Sequence, residues 1–397
     1  MTGLARCVGD VDRFLASCWG RAPLHRQGVD PARFADIFSL DDVDRFVSTS
    51  FPRLPAFRLV KDGSPLDPSR YTKTARIGGQ AVAGVGDPGR VFEEFRLGAT
   101  LVLQGLQRSS ETVARFCRSL EHELTHPVQA NAYVTPAGAQ GLGVHYDTHD
   151  VFVLQLAGRK EWAVYEPVLD DPLPSQGWHA GRGEPGPPIL EVELRAGDCL
   201  YMPRGFLHSA RAQQEMSAHL TVGVLTQTWF DVLREVVAGA ADDPVFRRSL
   251  PAGFATDETA LAAGVEAAVA RLRDWLEKVD TAQAAGAVVQ RYWASRPPIL
   301  AGQLHQLLAL DGIGDDTVVR RRDGSVCHLV VDADRMTVHL GDRRLVMSAD
   351  LEPALRRVAT GRPVRLGDLG DVLDQPSRAV LARRLVREGL LEMVLGN

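Results

Sequence analysis

The chain has 397 residues, 45% of them hydrophobic and 24% charged, with 45 basic against 50 acidic side chains and a net charge of −5. These values exclude intrinsic disorder, a fibrous repeat and a dedicated nucleic-acid surface, and the length leaves room for two or three domains of roughly 100–200 residues each. The five cysteines (Cys7, Cys18, Cys117, Cys199, Cys327) are odd in number, widely spaced and free of any C-x-x-C pair, so neither a disulfide framework nor a zinc knuckle is expected. With no signal-like N-terminus and no membrane-length apolar stretch, the expectation is a cytoplasmic protein with no membrane contact.

In chain order, Val11, Phe14, Leu15 and Trp19 recur near helical spacing and predict a short leading helix over 12–19, stopped by Pro23. Residues 52–88 are rich in Gly, Pro and Ser and read as loops and edge strands. A helix over 110–124 follows, with Val113, Phe116, Leu120 and Leu124 on one face. Between about 128 and 227 come short runs rich in Val, Leu, Tyr and Phe, such as Val151–Leu156 and Trp162–Tyr165. Turn clusters at Ala157-Gly158 and Ala196-Gly197-Asp198 separate them, the pattern of an antiparallel barrel or sandwich. Residues 228–300 are helical in pattern, notably Glu258 to Val279, and Pro297-Pro298 closes that stretch. The remainder to Asn397 has strand-like pieces near Val330 and Met336–Leu340 and helical pieces over 352–359 and 376–388, a small α+β domain.

The most informative window is His145-Tyr146-Asp147, which opens the run that continues as a strand. In a strand, residues i and i+2 share a face, so the imidazole and the carboxylate can converge on one ion. A third ligand is offered by His208, at the end of a strand–turn–strand sequence starting at Gly197. Two imidazoles and one carboxylate on one face of an octahedral ion leave three positions open, the facial triad of non-haem Fe(II) oxygenases; zinc is a rival at this level. Gly197, Pro203, Gly205 and His208 also satisfy the cupin pattern of Gly, five residues, Pro, one residue, Gly, two residues, His. A double-stranded β-helix uses that turn to deliver the His into the barrel mouth.

Lys160 follows His145 by fifteen residues, past the turn at Ala157-Gly158-Arg159, on what should be the antiparallel strand running back. Pointing inward, it would place a cation that needs an anionic partner, such as a dicarboxylate; pointing outward, it is an ordinary strand lysine. His149 reads as a donor behind the ligands or as a rim residue, and His179 as a surface residue.

The sequence resembles the ribosomal oxygenases, JmjC/cupin-type Fe(II)- and 2-oxoglutarate-dependent protein hydroxylases. The resemblance rests on Gly98-Ala99-Thr100, the run Asn131 to Gly138, Gly141-Leu142, His145-Tyr146-Asp147, Val151 to Leu156, Gly158 to Trp162, Gly197-Asp198 and Pro203-Arg204-Gly205 with His208. It implies an α+β architecture over nearly the whole chain. A double-stranded β-helix (cupin/JmjC) catalytic core with flanking elements would occupy 1–230, a helical dimerisation segment 231–300 and a winged-helix domain 301–397. By position, His145, Asp147 and His208 correspond to the iron ligands, and Lys160 to the partner of the distal 2-oxoglutarate carboxylate. His219 and Thr221 fall near the cosubstrate, and Asn131 and Tyr133 on the substrate side, although Tyr133 also reads as a half-buried strand aromatic and Thr221 as a packing residue.

The implied activity is hydroxylation of an amino-acid side chain, His or Arg, in a ribosomal protein or peptide, using Fe(II), 2-oxoglutarate and O2. A homodimer is implied as well, though the same apolar stripe over 231–300 would serve packing within the chain. The alternative from the residues alone is a metal-binding cupin or JmjC-like binding protein without oxygenase activity, from which Lys160 discriminates. A DNA-associated winged helix is disfavoured, because 351–397 carries eight Arg against six acidic residues, far from a basic face.

Overall fold

The computed structural model describes residues 2–139 and 143–394, so the Gly141-Leu142 motif and the last three residues of the expected C-terminal domain lie outside the described part. Two compact units divide the chain, Met1–Thr226 and Gln227–Asn397.

The first unit opens with α1 (Gly3–Val8) and α2 (Val11–Ser17), capped by Thr2 and Asp10 side chains that accept from Ala5 and Arg13 N–H groups. Only α2 is expected from the sequence; six residues are too few for α1 to show a period. Further along come α3 (Leu40–Thr49), α4 (Pro88–Arg96) and α5 (Glu111–Leu124). Ser110 caps α5, whose buried face includes Val113, Phe116, Leu120 and Leu124, as the spacing predicts.

The strands are β1 (Leu24–Arg26), β2 (Phe57–Lys61), β3 (Ser64–Pro65), β4 (Thr72–Ile77), β5 (Gln80–Gly86), β6 (Thr100–Leu103), β7 (Val128–Thr135), β8 (Asp150–Pro167), β9 (Pro188–Arg195), β10 (Cys199–Met202) and β11 (Phe206–Val224). Their main sheet runs β1-β10-β8-β11-β7-β6-β2-β3, with β9 on the far half of β8 and with β4-β5 as a separate hairpin. All its pairings are antiparallel.

One face of this sheet packs on the helices. Ala130, Ala132 and Val134 of β7, Phe152 and Leu154 of β8, and Leu220 and Val222 of β11 share a core with Leu4, Phe14, Phe116 and Leu120. The alternate residues, Asn131 and Tyr133, Val151 and Val153, and His219 and Thr221, face the other way, as a period of two requires.

The expected turn at Ala157-Gly158 is corrected by the structure: β8 is a single strand of 18 residues, paired with β11 along its length. Gly158 has φ +62°, and a Cβ there would lie 1.7 Å from the Met216 carbonyl oxygen. The glycine therefore serves a close backbone approach at a kink, opposite a register shift between Ala212 and Ser217 of β11. Lys160 accordingly continues β8 beyond the kink and does not sit on a returning neighbour. The irregularity also switches parity. Val151 and Val153 face the cavity before it and Lys160 and Trp162 after it, while on β11 His208 and Ala210 give way to His219 and Thr221.

The second unit contains α6 (Trp229–Ala238), α7 (Glu258–Leu276), α8 (Thr281–Ala294) and α9 (Gln303–Leu308), then β12 (Val318–Arg321), β13 (His328–Asp332), β14 (Arg335–His339), β15 (Arg344–Ser348), α10 (Glu352–Val358), β16 (Val364–Arg365), α11 (Gln375–Arg387) and β17 (Leu391–Met393). The strands form two small sheets, β16-β12-β17 and β13-β14-β15. A core of residues from Ile313 to Met393, including Val319, Val338, Leu355, Leu385 and Leu391, holds this end together. Among the described residues no helix is long and apolar enough to cross a membrane.

Candidate metal centre

The main sheet encloses a cavity of about 200 Å³ lined from β2, β6, β7, β8, β10 and β11. Two segments bring candidate ligand atoms to it. His145 precedes β8 and forms an isolated antiparallel bridge with His208, near the start of β11. Asp147 follows in the same connecting segment, and the Gly205 N–H donates to its backbone carbonyl at 3.0 Å. The expectation that His145 and Asp147 sit in a regular strand is corrected, since β8 begins only at Asp150. Their convergence rests on the bridge and on the glycine turn.

One ligand atom from each of His145, Asp147 and His208 lies within 4.8 Å of the others, and His208 Nε2 is 3.8 Å from Asp147 Oδ2. Nδ1 of His145 faces the Gly143 carbonyl at 2.7 Å, and Nδ1 of His208 faces the Phe206 carbonyl at 3.1 Å. A proton donated from each Nδ1 leaves each Nε2 with a free lone pair, the form that binds a metal. Burial, then the neighbouring His145, pushes the His208 pKa down to about 4, which keeps its ring neutral.

The turn into β11 is secured from behind. Asp150, fully buried, accepts from the Tyr201 hydroxyl at 2.7 Å and from the Arg204 N–H at 3.1 Å. Gly205 (φ +85°) passes so close to Leu169 that a Cβ would sit 2.5 Å from that carbonyl oxygen. The loop after β8 is tied to the same segments: Tyr146 donates to the Gln176 carbonyl at 2.7 Å, and Arg204 pairs with Asp171 at 2.8 Å.

Lys160 is 3% exposed and lines the cavity beyond the kink. Its Nζ donates to Thr135 Oγ1 at 3.2 Å, and Thr100 Oγ1 donates to the same oxygen at 3.3 Å. Among the described residues no carboxylate pairs with it, and burial alone lowers its pKa to about 8. An ammonium taken out of water without an anion costs several kcal/mol, which is why burial lowers this pKa.

His219 is buried on β11, its ring parallel to that of Tyr133 at 5.0 Å and edge-on to Trp162 at 5.6 Å. Burial and the nearby Lys160 hold its pKa well below the ordinary value. Thr221 and Tyr133 also line the cavity. Asn131 shares their face of the sheet but is not among the lining residues; its Oδ1 accepts from the Gly105 N–H at 2.9 Å and so fixes the turn after β6. His149 is half-buried beside Gln129 and Gly223 and does not line the cavity, and His179 is exposed in the loop after β8.

Sequence reasoning missed Arg58, Thr100 and Trp162 as lining residues. The signal for Arg58 was its place between buried Phe57 and Leu59, which commits it to the opposite face of β2. Arg58 Nε, Trp162 Nε1 and His219 Nδ1 are all buried without a hydrogen-bond partner. Three unsatisfied polar atoms around one cavity, beside two imidazoles and a carboxylate, fit a metal with a polar organic ligand.

Residues 103–232 match the JmjC domain. Over 249 residues this chain is 35% identical to Ribosomal oxygenase 1 of Gallus gallus, covering 60% of this chain and 40% of that protein. It is 31% identical over 253 residues to the bifunctional lysine-specific demethylase and histidyl-hydroxylase NO66 of Dictyostelium discoideum, covering 62% and 48% respectively. The chain thus spans less than half the length of these two relatives. A solved structure of Escherichia coli YcfD, a ribosomal oxygenase in complex with cobalt and 2-oxoglutarate, aligns over 97% of this chain and 98% of that one, with a TM-score of 0.53 at 20% identity. The shared feature is a JmjC/cupin-type fold, and the matched residues include β7 to β11, the strands that carry most of the cavity.

Proposed function

We propose that this chain is an Fe(II)- and 2-oxoglutarate-dependent oxygenase that hydroxylates a side chain, His or Arg, of a ribosomal protein or peptide. The observation that carries this reading is the buried, anion-free Lys160 in the same cavity as the His145, Asp147 and His208 ligand atoms. A purely structural or hydrolytic metal site does not require such a cation. The names of the relatives from Gallus gallus and Dictyostelium discoideum, and the 2-oxoglutarate bound by YcfD, support the same assignment.

In this reading His145, Asp147 and His208 hold the iron through two nitrogens and one oxygen. Bound there, Fe(II) supplies O2 activation coupled to conversion of 2-oxoglutarate into succinate and CO2, with insertion of one oxygen atom into a substrate C–H bond. Lys160 and Thr135 bind the distal carboxylate, and the flat stack of Tyr133 on His219 walls the cosubstrate from the substrate side. Val151, Val153 and Met202 exclude water, which protects the reaction from idle turnover. Thr221 supplies a hydroxyl beside the cosubstrate, and Asn131 acts by shaping the cavity rim through its bond to Gly105.

The test is succinate formation by purified protein with Fe(II), O2 and 2-oxoglutarate, with and without a pool of ribosomal-protein peptides, followed by mass spectrometry for a gain of one oxygen atom. Peptide-stimulated succinate with an oxygenated product supports the reading. Metal binding without turnover in any mixture overturns it in favour of a binding-only cupin. For the rest of the chain the proposal is a cytoplasmic homodimer with 301–397 as a winged helix that docks partners and not nucleic acid. Exposed Leu233, Val237, Val265 and Val269 within 231–300 support a helix–helix interface between copies. Equilibrium sedimentation at micromolar concentration checks it, a monomer being the contrary result.

A further inference from the structure

The cavity is lined by a second cation, Arg58, to which the oxygenase reading above assigns no role. Arg58 projects from β2 at a position paired with Val102 of β6, which in turn pairs with Tyr133 of β7, so the three side chains stand in a row across one face of the sheet. Its guanidinium lies close enough to the Tyr133 phenol to act on it electrostatically, its Nε is buried and unpartnered, and among the described residues no carboxylate pairs with it. Asp147 is the one carboxylate among the described residues lining the cavity, and it is committed to the candidate metal.

Arg58 and Lys160 occupy separate anion positions. Lys160 stands with Thr135 and Thr100, on the level of Val60, the residue paired with Thr100. Arg58 lies two residues nearer the start of β2, on the level of Tyr133, whose phenol feels Asp147 as well as Arg58. A planar guanidinium lining the cavity carries parallel N–H donors matched to a carboxylate.

We propose that Arg58 is a specificity-determining residue that binds a carboxylate of the substrate, an Asp or Glu side chain adjacent to the hydroxylated residue, on the Tyr133 side of the cavity. This rests on the oxygenase reading above and deepens it. It makes the substrate an acidic-neighbour motif within an otherwise unspecified protein or peptide. The same carboxylate chemistry could come from the cosubstrate, and the test separates the two sources.

The protein is loaded anaerobically with Co(II) and titrated calorimetrically, first with 2-oxoglutarate and then with short capped peptides Ala-Zaa-His-Zaa-Ala and Ala-Zaa-Arg-Zaa-Ala, where Zaa is Glu or Gln. The wild type should bind a Glu peptide about tenfold more tightly than its Gln counterpart. Arg58→Met should abolish that preference while leaving 2-oxoglutarate affinity within about twofold, and Arg58→Lys should restore part of the preference. No acidic preference in the wild type, or a preference that survives Arg58→Met, overturns the proposal. A large loss of 2-oxoglutarate affinity in Arg58→Met overturns it too, by assigning the residue to the cosubstrate. Failure of the wild type to bind 2-oxoglutarate at all would instead defeat the oxygenase reading, and the first titration shows this separately.

Discussion

His145 and His208 are bonded to each other through their backbones, each N–H donating to the other's carbonyl, at 3.1 and 2.8 Å. Two candidate ligands 63 residues apart in the chain are thereby set by one bridge, and their side chains need only rotate to meet an ion. His208→Ala or Asp147→Ala should abolish 2-oxoglutarate turnover and lower Co(II) affinity by at least about a hundredfold, while the circular dichroism spectrum stays unchanged because the backbone bridge survives. Full activity of Asp147→Ala would remove that residue from the centre.

Lys160 predicts two pH dependences of opposite sign. Its ammonium titrates near 8 in the folded chain against an ordinary 10.5. Between these values the unfolded chain binds a proton that the folded chain does not, so stability rises with pH across that window, by up to about 3 kcal/mol. Binding of 2-oxoglutarate runs the other way: it is strongest below about pH 8 and weakens as the ammonium loses its proton. Lys160→Met should flatten both profiles and raise the cosubstrate requirement about 10–100-fold, as read by denaturant melts and calorimetry.

Gly158 makes the kink possible. Gly158→Ala places a methyl group against the Met216 carbonyl in a backbone region that disfavours side chains, and should destabilise the first unit by more than about 2 kcal/mol. The change should also impair 2-oxoglutarate binding, since Lys160 lies two residues on. A melting temperature equal to the wild type would contradict this account of the kink.

Asp150 positions the turn that leads to His208 without touching the metal. Asp150→Ala strands the Tyr201 hydroxyl and the Arg204 N–H in the interior, at a cost of about 2–4 kcal/mol. It should loosen Co(II) binding about tenfold while leaving 2-oxoglutarate affinity at the Lys160 end less affected. Equal losses at both ends would indicate general unfolding and not positioning.

How far the sequence disclosed this arrangement depends on the range of the physics involved. The α5 helix was legible because its apolar face repeats every three to four residues, and the β10 turn because Gly197, Pro203 and Gly205 have specific backbone uses. The convergence of His145, Asp147 and His208 was legible from residue type and spacing, although the reason given, strand parity, is only half right. Gly158 was misread as a hairpin turn because a glycine at a kink and a glycine at a turn look alike locally; the partner that decides between them, Met216, lies almost sixty residues away. Arg58 was missed because its place between Phe57 and Leu59 gives only its face of β2, and the pairing of β2 with β6 that brings this face to the cavity has no local signature.

The paired kinks of β8 and β11 also bear on how such a chain can diverge. Because each irregularity reverses which side chains face inward, the stretches from Val153 to Lys160 and from Ala210 to His219 have a fixed residue count. One amino acid gained or lost inside either would turn half of the centre outward. The loop of 168–187, which leaves β8 and returns on β9, carries no such parity. Outside the anchors at Leu169, Asp171 and Gln176, its length is not coupled to which side chains face the cavity, whereas the two kinked strands can change only by replacement.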